Sequence, residues 1–435
     1  MFKLEEYTCR TQYKPIQQAP IPPLVYIPLS QHTGKICAPL VKIGDYVNAG
    51  QMIADAQAQV YAPIHASISG KITAIQDYPH PVLGQCPAIV IENKNQDNPL
   101  PSPSIRQADT ADSQSQEIVN LTPEQIRDMI FKAGIAGMGG AGFPAHIKLN
   151  PPKPVDTLII NGAECEPYLA GDNRLMIEKT KQIIQGIKLI VRCLKVKEVC
   201  IAIEENKPEA IKAVKEELTT LHITHYTLHI LKSNYPQGGE KQLIKAVLRR
   251  EVPRGKLPFD AGVIVQNIGT IFAIYEAVYK HKPLYERIVT VTGNCLSNPQ
   301  NLLVRVGTPI KELIAFCGPL TEEPAKIIIG GPMMGIAQYT DEVPVIKTTS
   351  GVILMSAEES RIQEEISCIR CGACIENCPM GLMPCLINLA SEKKKWPETK
   401  IYGALDCIEC GSCDYVCPAN RKLVQSIKTA KWKLR

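Results

Sequence analysis

The sequence predicts a multidomain α/β chain. It begins with a barrel-sandwich of short strands, continues through an α/β layer with a mainly parallel sheet and a small α+β unit, and ends in a cysteine-rich module. Three observations lead there. Short apolar-alternating runs broken by Gly turns fill residues 24–92. From residue 121 strands alternate with helical periods. Two nearly identical twelve-residue cysteine runs begin at Cys368 and at Cys407.

A length of 435 residues leaves room for three or four domains, and 45% hydrophobic content supplies their cores. Aromatic content of 5% argues against a base-stacking nucleic-acid binder. The formal net charge of +5 is spread along the chain, with no long Lys/Arg block to demand nucleic acid. The N-terminal "MFKLEEYTCR" has no apolar core of a signal peptide. The most apolar stretch, Ala261 to Tyr279, includes Gln266, Asn267 and Glu276, and is expected to be a strand followed by a helix, not a membrane span. The expectation is a soluble cytosolic chain, whose 17 cysteines are then not disulfide partners.

The N-terminal unit, residues 1–95, reads as two hammerhead halves of a lipoyl/biotinyl-type sandwich, with turns at Gly44-Asp45 and Gly50-Gln51. Its connection "DAQAQVY" has no lysine to modify, so a docking or bracing role is expected. Residues 96–120 are polar and read as a linker. The α/β unit, 121–285, opens with "LTPEQIRDMIFKAG", a helix with Thr122 as N-cap, Pro123 in its first turn and Gly134 at its end. Helices are then expected over 172–194, 208–218, 239–250 and 270–281, between the strands "DTLIING", "EVCIAIEE", "YTLHILK" and "AGVIVQNIG". The small unit, 286–350, holds short strands and the helix "TPIKELIAF", with Thr308 capping and Pro309 first. A helix near 357–366 leads into the cysteine module, 351–435, whose basic tail carries Trp432. That tail reads either as a frayed end or as a face for an anionic bilayer or acidic partner.

Both runs have the spacing C-x2-C-x2-C-x3-C-P. Zinc sites use C-x2-C pairs separated by a longer loop, whereas a third Cys three residues on suits a cubane. The fourth Cys of each run reaches the other cluster in two-cluster ferredoxins. One [4Fe–4S] cluster is therefore expected on Cys368, Cys371, Cys374 and Cys417, and the second on Cys407, Cys410, Cys413 and Cys378. The competing readings are a pair of zinc sites or clusters with no electron traffic. Most of the nine remaining cysteines, which include Cys165 and Cys385, read as packed thiols.

"GIAGMGGAGFPAHIK", from Gly134 to Lys148, follows a helix, so it is not a dinucleotide-binding fingerprint, and it lacks the GK[ST] of a P-loop. Its glycines still expose backbone amides for an anion, and Lys148 adds charge. His146 within it reads as a packing residue. "NGAECEPY" at 161–168 follows a strand end and offers Asn161, Glu164 and Glu166. "YPQGGEK" at 235–241 and "QNIGT" at 266–270 sit where helices begin. These loops are expected to converge on one ligand.

In order, "GGAGFP", "NGAECEPY", "YPQGGEKQ", "GGPMMG" and "CIRCGAC…CIECGSC" resemble the RnfC family of Rnf electron-transport complexes over nearly the whole chain. The loops are also similar to the NADH-oxidising, FMN-binding flavoprotein subunit of complex I. The resemblance implies a Rossmann-like FMN domain, a soluble-ligand-binding β-grasp-like domain and a helical domain with two [4Fe–4S] clusters. It implies non-covalent FMN, NADH as substrate, other membrane-complex subunits as partners (a ferredoxin-like subunit among them), and a peripheral place on the cytoplasmic side of a bacterial inner membrane. It assigns Gly137, Gly139, Gly140, Gly142 and Lys148 to the FMN phosphate and ribityl chain. It sets Asn161, Glu164 and Glu166 beside the isoalloxazine or nicotinamide, the two glutamates as the catalytic pair, and completes the pocket with Gly239, Glu240, Asn267 and Thr270. Met138, Ala163 and Lys241 depart from the complex I pattern. They keep in view an electron wire that never binds nicotinamide, while the shared flavin and cluster motifs keep in view a soluble flavin/iron–sulfur cobalamin reductase.

Overall fold

The computed structural model describes residues 9–93, 118, 120–223, 225–361 and 363–434. The expected polar linker over 96–120 therefore falls, apart from residues 118 and 120, outside the described residues, as do residues 1–8.

Residues 24–93 form two small sheets. The larger is antiparallel in the spatial order Leu24–Pro28, Gly84–Asn93, Gly70–His80, Tyr46–Val47; the smaller joins Ala38–Pro39, Met52–Asp55 and Ile64–His65. Alternation puts Val25, Ile27, Val47, Ile53, Ile64, Ile72, Ile89 and Ile91 between them. Gly44 and Gly50 have φ of +99° and +84°, the left-handed geometry that the turns require. The short strand Ile16–Gln18 leaves this unit and pairs in parallel with Asn301–Leu303 of the third unit.

The central unit is a four-stranded parallel sheet in the order Tyr226–Leu231, Glu198–Glu204, Thr157–Gly162, Val263–Asn267. Helices Pro123–Lys132, Thr180–Leu194, Pro208–Thr220 and Ile268–Tyr279 bury Ile126, Ile130, Ile187, Val214 and Ile271 on one face. Helix Glu240–Leu248 covers the other with Leu243 and Ile244. Thr122 forms a full capping box with Gln125, and Gly134 follows the helix at φ +66°. The helix expected over 172–194 is two, Gly171–Glu178 and Thr180–Leu194, broken at Lys179, where φ is −131°. As expected, Ala261–Tyr279 holds a strand and a helix; no described helix is long and apolar enough to cross a membrane.

The third unit is a six-stranded mixed sheet in the order Ile16–Gln18, Gln300–Arg305, Glu286–Gly293, Gly351–Met355, Lys326–Ile329, Ile336–Gln338. Two expectations are corrected here. Strand Gly351–Met355, assigned from sequence to the cysteine module, lies inside this sheet, because "GVILM" is an apolar run that pairs on both edges. Pro309 is the N-cap of helix Ile310–Cys317, and Thr308 is buried before it with its hydroxyl unpaired, so Thr308 is no cap.

The expected helix near 357–366 is absent from the described residues there. Ser356 and Glu359 do form reciprocal side-chain-to-amide bonds like a helix start. The Glu359 carboxylate is also taken by Tyr168 Oη and Asn294 Nδ2 from two other units, and the chain leaves after one turn. The C-terminal unit packs helices Pro384–Glu392, Trp396–Ile401 and Leu423–Leu434 around Ile387, Ala404, Ile427 and Ala430. The basic tail is therefore a packed helix up to Leu434, not a frayed end, although Trp432 stays 71% exposed.

Candidate functional site

The central sheet reverses its winding between Thr157–Gly162 and Val263–Asn267, the position where open α/β sheets leave a crevice beyond their carboxyl ends. Asn161 and Asn267 stand side by side at those two ends. Asn267 Oδ1 accepts from Thr270 N at 3.3 Å and caps helix Ile268–Tyr279, while its Nδ2 donates to Asp172 Oδ2 at 2.6 Å. Asn161 Nδ2 donates to Gly238 O at 2.9 Å, tying the strand end to the loop that opens helix Glu240–Leu248. Two helix N-termini thus reach the crevice, each with a partial positive charge.

The glycine-rich loop closes the third side. Met138 N donates to Thr270 Oγ1 at 2.9 Å and Gly137 N to Phe143 O at 2.9 Å. A side chain on Gly139 would stand 2.9 Å from Asn267 Cβ, so only glycine lets the loop approach. Gly139, Gly140 and Ala141 are exposed, and with Gly142 their four amides meet no acceptor among the described residues. Free amides beside helix N-termini fit a phosphate and the chain that bears it. Lys148 and Glu240 face each other at the rim as an ion pair of 2.8 Å. His146 packs on Phe131 at 4.8 Å, the packing role expected of it.

The two glutamates divide. Glu164, at φ +47°, accepts from Asp172 N at 2.7 Å and Asn173 N at 2.9 Å. Both oxygens cap the first turn of helix Gly171–Glu178, so two amides hold the carboxylate that was expected beside a flavin or nicotinamide. Glu166 reaches instead to the "GGPMMG" loop of the third unit, accepting from Met333 N at 3.1 Å and Met334 N at 2.9 Å. Burial pushes each carboxyl up to about 7. The sign follows. Below about 4.5 both the folded and the unfolded chain hold the proton; as pH rises towards 7 only the unfolded chain releases it, so this contribution to stability is lost across that window. Cys165 accepts from Gly238 N at 3.3 Å, and burial pushes its thiol up to about 12, as suits a packed, unreactive cysteine.

The second cysteine run lies against this crevice. Cys407, Cys410, Cys413 and Cys378 line one cleft with Pro379, Met380, Gly411 and Val424. Four thiols brought to one cleft from the two runs fit the cross-ligation of a two-cluster ferredoxin. Three contacts fix the cleft to the crevice loops. Tyr235 Oη donates to Cys410 O at 2.6 Å. Gln242 Nε2 donates to Pro379 O at 3.3 Å. Met333 O lies where a side chain on Gly411 would come within 2.7 Å. Tyr235 also bonds Glu166, so one tyrosine touches the crevice carboxylate and the cleft.

The first run lies further out. Cys374 packs with Cys413, Cys417, Cys385 and Leu423, while Cys368 and Cys371 are exposed. Among the described residues no three His, Cys, Asp or Glu side chains converge as a single metal ion would need. Tyr235, Gln242, Asp172, Gly331 and Met333 were not singled out from sequence. Tyr235, Gln242, Gly331 and Met333 lay inside motifs already noticed, and only the fold brings them to the cleft.

Four family models match in chain order: an RnfC barrel sandwich hybrid domain over residues 2–96, a Nuo51 FMN-binding domain over 130–276, an SLBB domain over 288–337 and a 4Fe-4S dicluster domain over 367–421. The C subunit of the proton-translocating ferredoxin:NAD(+) oxidoreductase complex of Clostridium ljungdahlii is 46% identical over 426 residues, 97% of this chain and 90% of that protein. Its counterpart in the Na(+)-translocating complex of Acetobacterium woodii is 42% identical, with 94% and 90% covered. The corresponding C subunit of the ion-translocating oxidoreductase complex of Rhodobacter capsulatus is 43% identical, with 96% and 79% covered. Among solved structures, an NAD+-reducing [NiFe]-hydrogenase in the H2-reduced state aligns with a TM-score of 0.50 at 18% identity. The alignment covers 72% of this chain but only 61% of that one, and speaks to fold alone.

Proposed function

The chain belongs to the RnfC family, the C subunits of ion-translocating ferredoxin:NAD(+) oxidoreductase complexes, and from that premise we propose how its residues serve electron transfer. It is an oxidoreductase subunit that passes electrons between NADH, FMN and two [4Fe–4S] clusters, working with the other subunits of its complex. The relatives' names favour this reading over the cobalamin reductase. The chain associates peripherally with the membrane through that complex, and we assign it to the cytoplasmic side of a bacterial inner membrane.

When bound, FMN exchanges a hydride with NADH and single electrons with iron–sulfur clusters. The chain's own residues bind, orient and insulate. The amides of Gly139, Gly140, Ala141 and Gly142 and the N-terminus of helix Ile268–Tyr279 hold the phosphate end. Lys148 releases Glu240 to add charge there, and Gly137 shapes the turn of the loop. Asn161, Asn267, Gly239 and Thr270 fix the crevice walls, with Glu164 stiffening them from behind as a helix cap. Glu166 faces the ring end and joins the crevice to the Met333 loop. Cys378, Cys407, Cys410 and Cys413 hold the near cluster, and Cys368, Cys371, Cys374 and Cys417 the far one. Two one-electron centres match the two electrons of one NADH. The observation that supports this order most is the Tyr235–Cys410 bond, which puts the second cysteine run, not the first, against the crevice.

Glu166→Gln tests the reading with two readouts. NADH oxidation should fall while cluster content is unchanged. The Tm difference between variant and parent should move in the variant's favour from pH 5 to pH 8, because the amide does not carry the buried charge. Full NADH activity together with a pH-independent Tm difference would remove Glu166 from the site.

A further inference from the structure

The glycine-rich loop runs from Gly134 to Gly142, and both of its ends rest on the barrel-sandwich unit. At the start, Lys347 Nζ donates to Gly134 O at 2.7 Å and to Pro63 O at 2.8 Å, so one buried ammonium from the third unit pins the loop to the first. A side chain on Gly134 would stand 2.2 Å from Pro63 O. At the other end, Thr33 N donates to Gly142 O at 3.0 Å, and Thr33 Oγ1 donates to Ala141 O. A side chain on Gly142 would come within 3.3 Å of His32 Cα.

The two Thr33 bonds decide where amides point. In a planar trans peptide the C=O and the N–H lie on opposite sides of the chain. Thr33 Oγ1 takes the carbonyl of the Ala141–Gly142 unit, which turns the Gly142 N–H away from the barrel-sandwich. Thr33 N takes the carbonyl of the next unit, which does the same for the Phe143 N–H. On the crevice side the loop is held by Gly139, packed against Asn267.

The turn that presents Thr33 is itself fixed. Ala62 N donates to His32 Nε2 at 3.2 Å and Lys35 N to Val60 O at 3.0 Å. Gln31 is buried, donating to Pro28 O at 3.1 Å and accepting from Lys347 N at 3.3 Å. Gly34 has φ +123°, and a side chain there would stand 2.1 Å from Val60 O.

Resting on the assignment of this loop to the FMN phosphate, we propose that Thr33 of the barrel-sandwich unit is a positioning residue for that phosphate. It acts through the loop: by holding the carbonyls of Ala141 and Gly142 it aims the amides of Gly142 and Phe143 at the anion. Amides already oriented need no reordering when the phosphate arrives. A carrier-type sandwich with no lysine to modify thus serves as a clamp on the flavin site.

The test measures FMN and riboflavin binding to the whole flavin-free chain, with Thr33→Val and Thr33→Ser beside the parent. Riboflavin lacks the phosphate, and the ratio of the two dissociation constants does not depend on how much of a variant is folded. In Thr33→Val, FMN should bind roughly 3- to 10-fold more weakly, the loss of one neutral hydrogen bond, while riboflavin binding is unchanged. The phosphorus NMR signal of bound FMN should move as well. Thr33→Ser, which keeps the hydroxyl, should match the parent in both readouts. An unchanged FMN-to-riboflavin ratio in Thr33→Val would overturn the proposal, whether both flavins weaken together or neither does. A parent chain that holds riboflavin as tightly as FMN would instead refute the phosphate assignment on which the proposal rests.

Discussion

In a Cys407→Ala chain loaded with FMN, NADH reduces neither iron–sulfur cluster, whereas in Cys371→Ala it still reduces one. This asymmetry is the largest effect expected, and it arises from where the two runs lie. Cys407 shares a cleft with Cys378, Cys410 and Cys413, and that cleft is bonded to the crevice through Tyr235, Gln242 and Met333. Cys371 is exposed and is not among the residues lining that cleft. Removing a near ligand breaks the path at its first step, so the far cluster is loaded but stranded. Removing a far ligand shortens the path without cutting it. EPR after NADH and again after dithionite separates the cases: in Cys407→Ala, dithionite should reveal the far cluster that NADH leaves oxidised. Equal NADH-driven reduction of the remaining cluster in both variants would show that the order is wrong.

The second large effect is expected at Gly331. A Cβ there would stand 2.1 Å from Glu166 Oε2 and 2.6 Å from Glu166 Cβ, distances no rotamer change at the carboxylate alone relieves. Gly331→Ala must therefore push the whole Glu166 side chain off the amides of Met333 and Met334. Overpacking of this kind costs about 1–3 kcal/mol, and the two amides lose their acceptor as well. The Met333 loop also lies on Gly411, so the disturbance reaches the near cleft, and NADH-driven cluster reduction should slow while FMN stays bound. A double-mutant cycle isolates the cause: in a Glu166→Gly background, which also removes the Cβ at 2.6 Å, the same Gly331→Ala change should be nearly silent. Equal costs in both backgrounds would mean that Glu166 is not what Gly331 makes room for.

Legibility in the sequence tracked the range of the interaction. The cysteine spacing, the Thr122 capping box and the turns at Gly44 and Gly50 are local, and each could be read from a few consecutive residues. Asn161 and Asn267 were legible as strand ends because loops there meet at a winding reversal. The cap that Glu164 supplies was not legible, because its partners, Asp172 and Asn173, belong to a short helix that a break at Lys179 separates from Thr180–Leu194. Ser356 and Glu359 spelled a helix start, yet Glu359 answers to Tyr168 and Asn294, 191 and 65 residues away. Tyr235 and Cys410 are 175 residues apart, and no local pattern announces their bond. What the sequence could not display was the docking of one unit on another, on which the proposed order of the redox centres rests.

Anaerobic addition of NADH to the FMN-loaded chain, followed by visible and EPR spectra, tests the account most directly. It predicts that the flavin bleaches and that signals from two reduced, interacting [4Fe–4S] clusters appear. Clusters that dithionite reduces but NADH leaves oxidised, with FMN demonstrably bound, would contradict it.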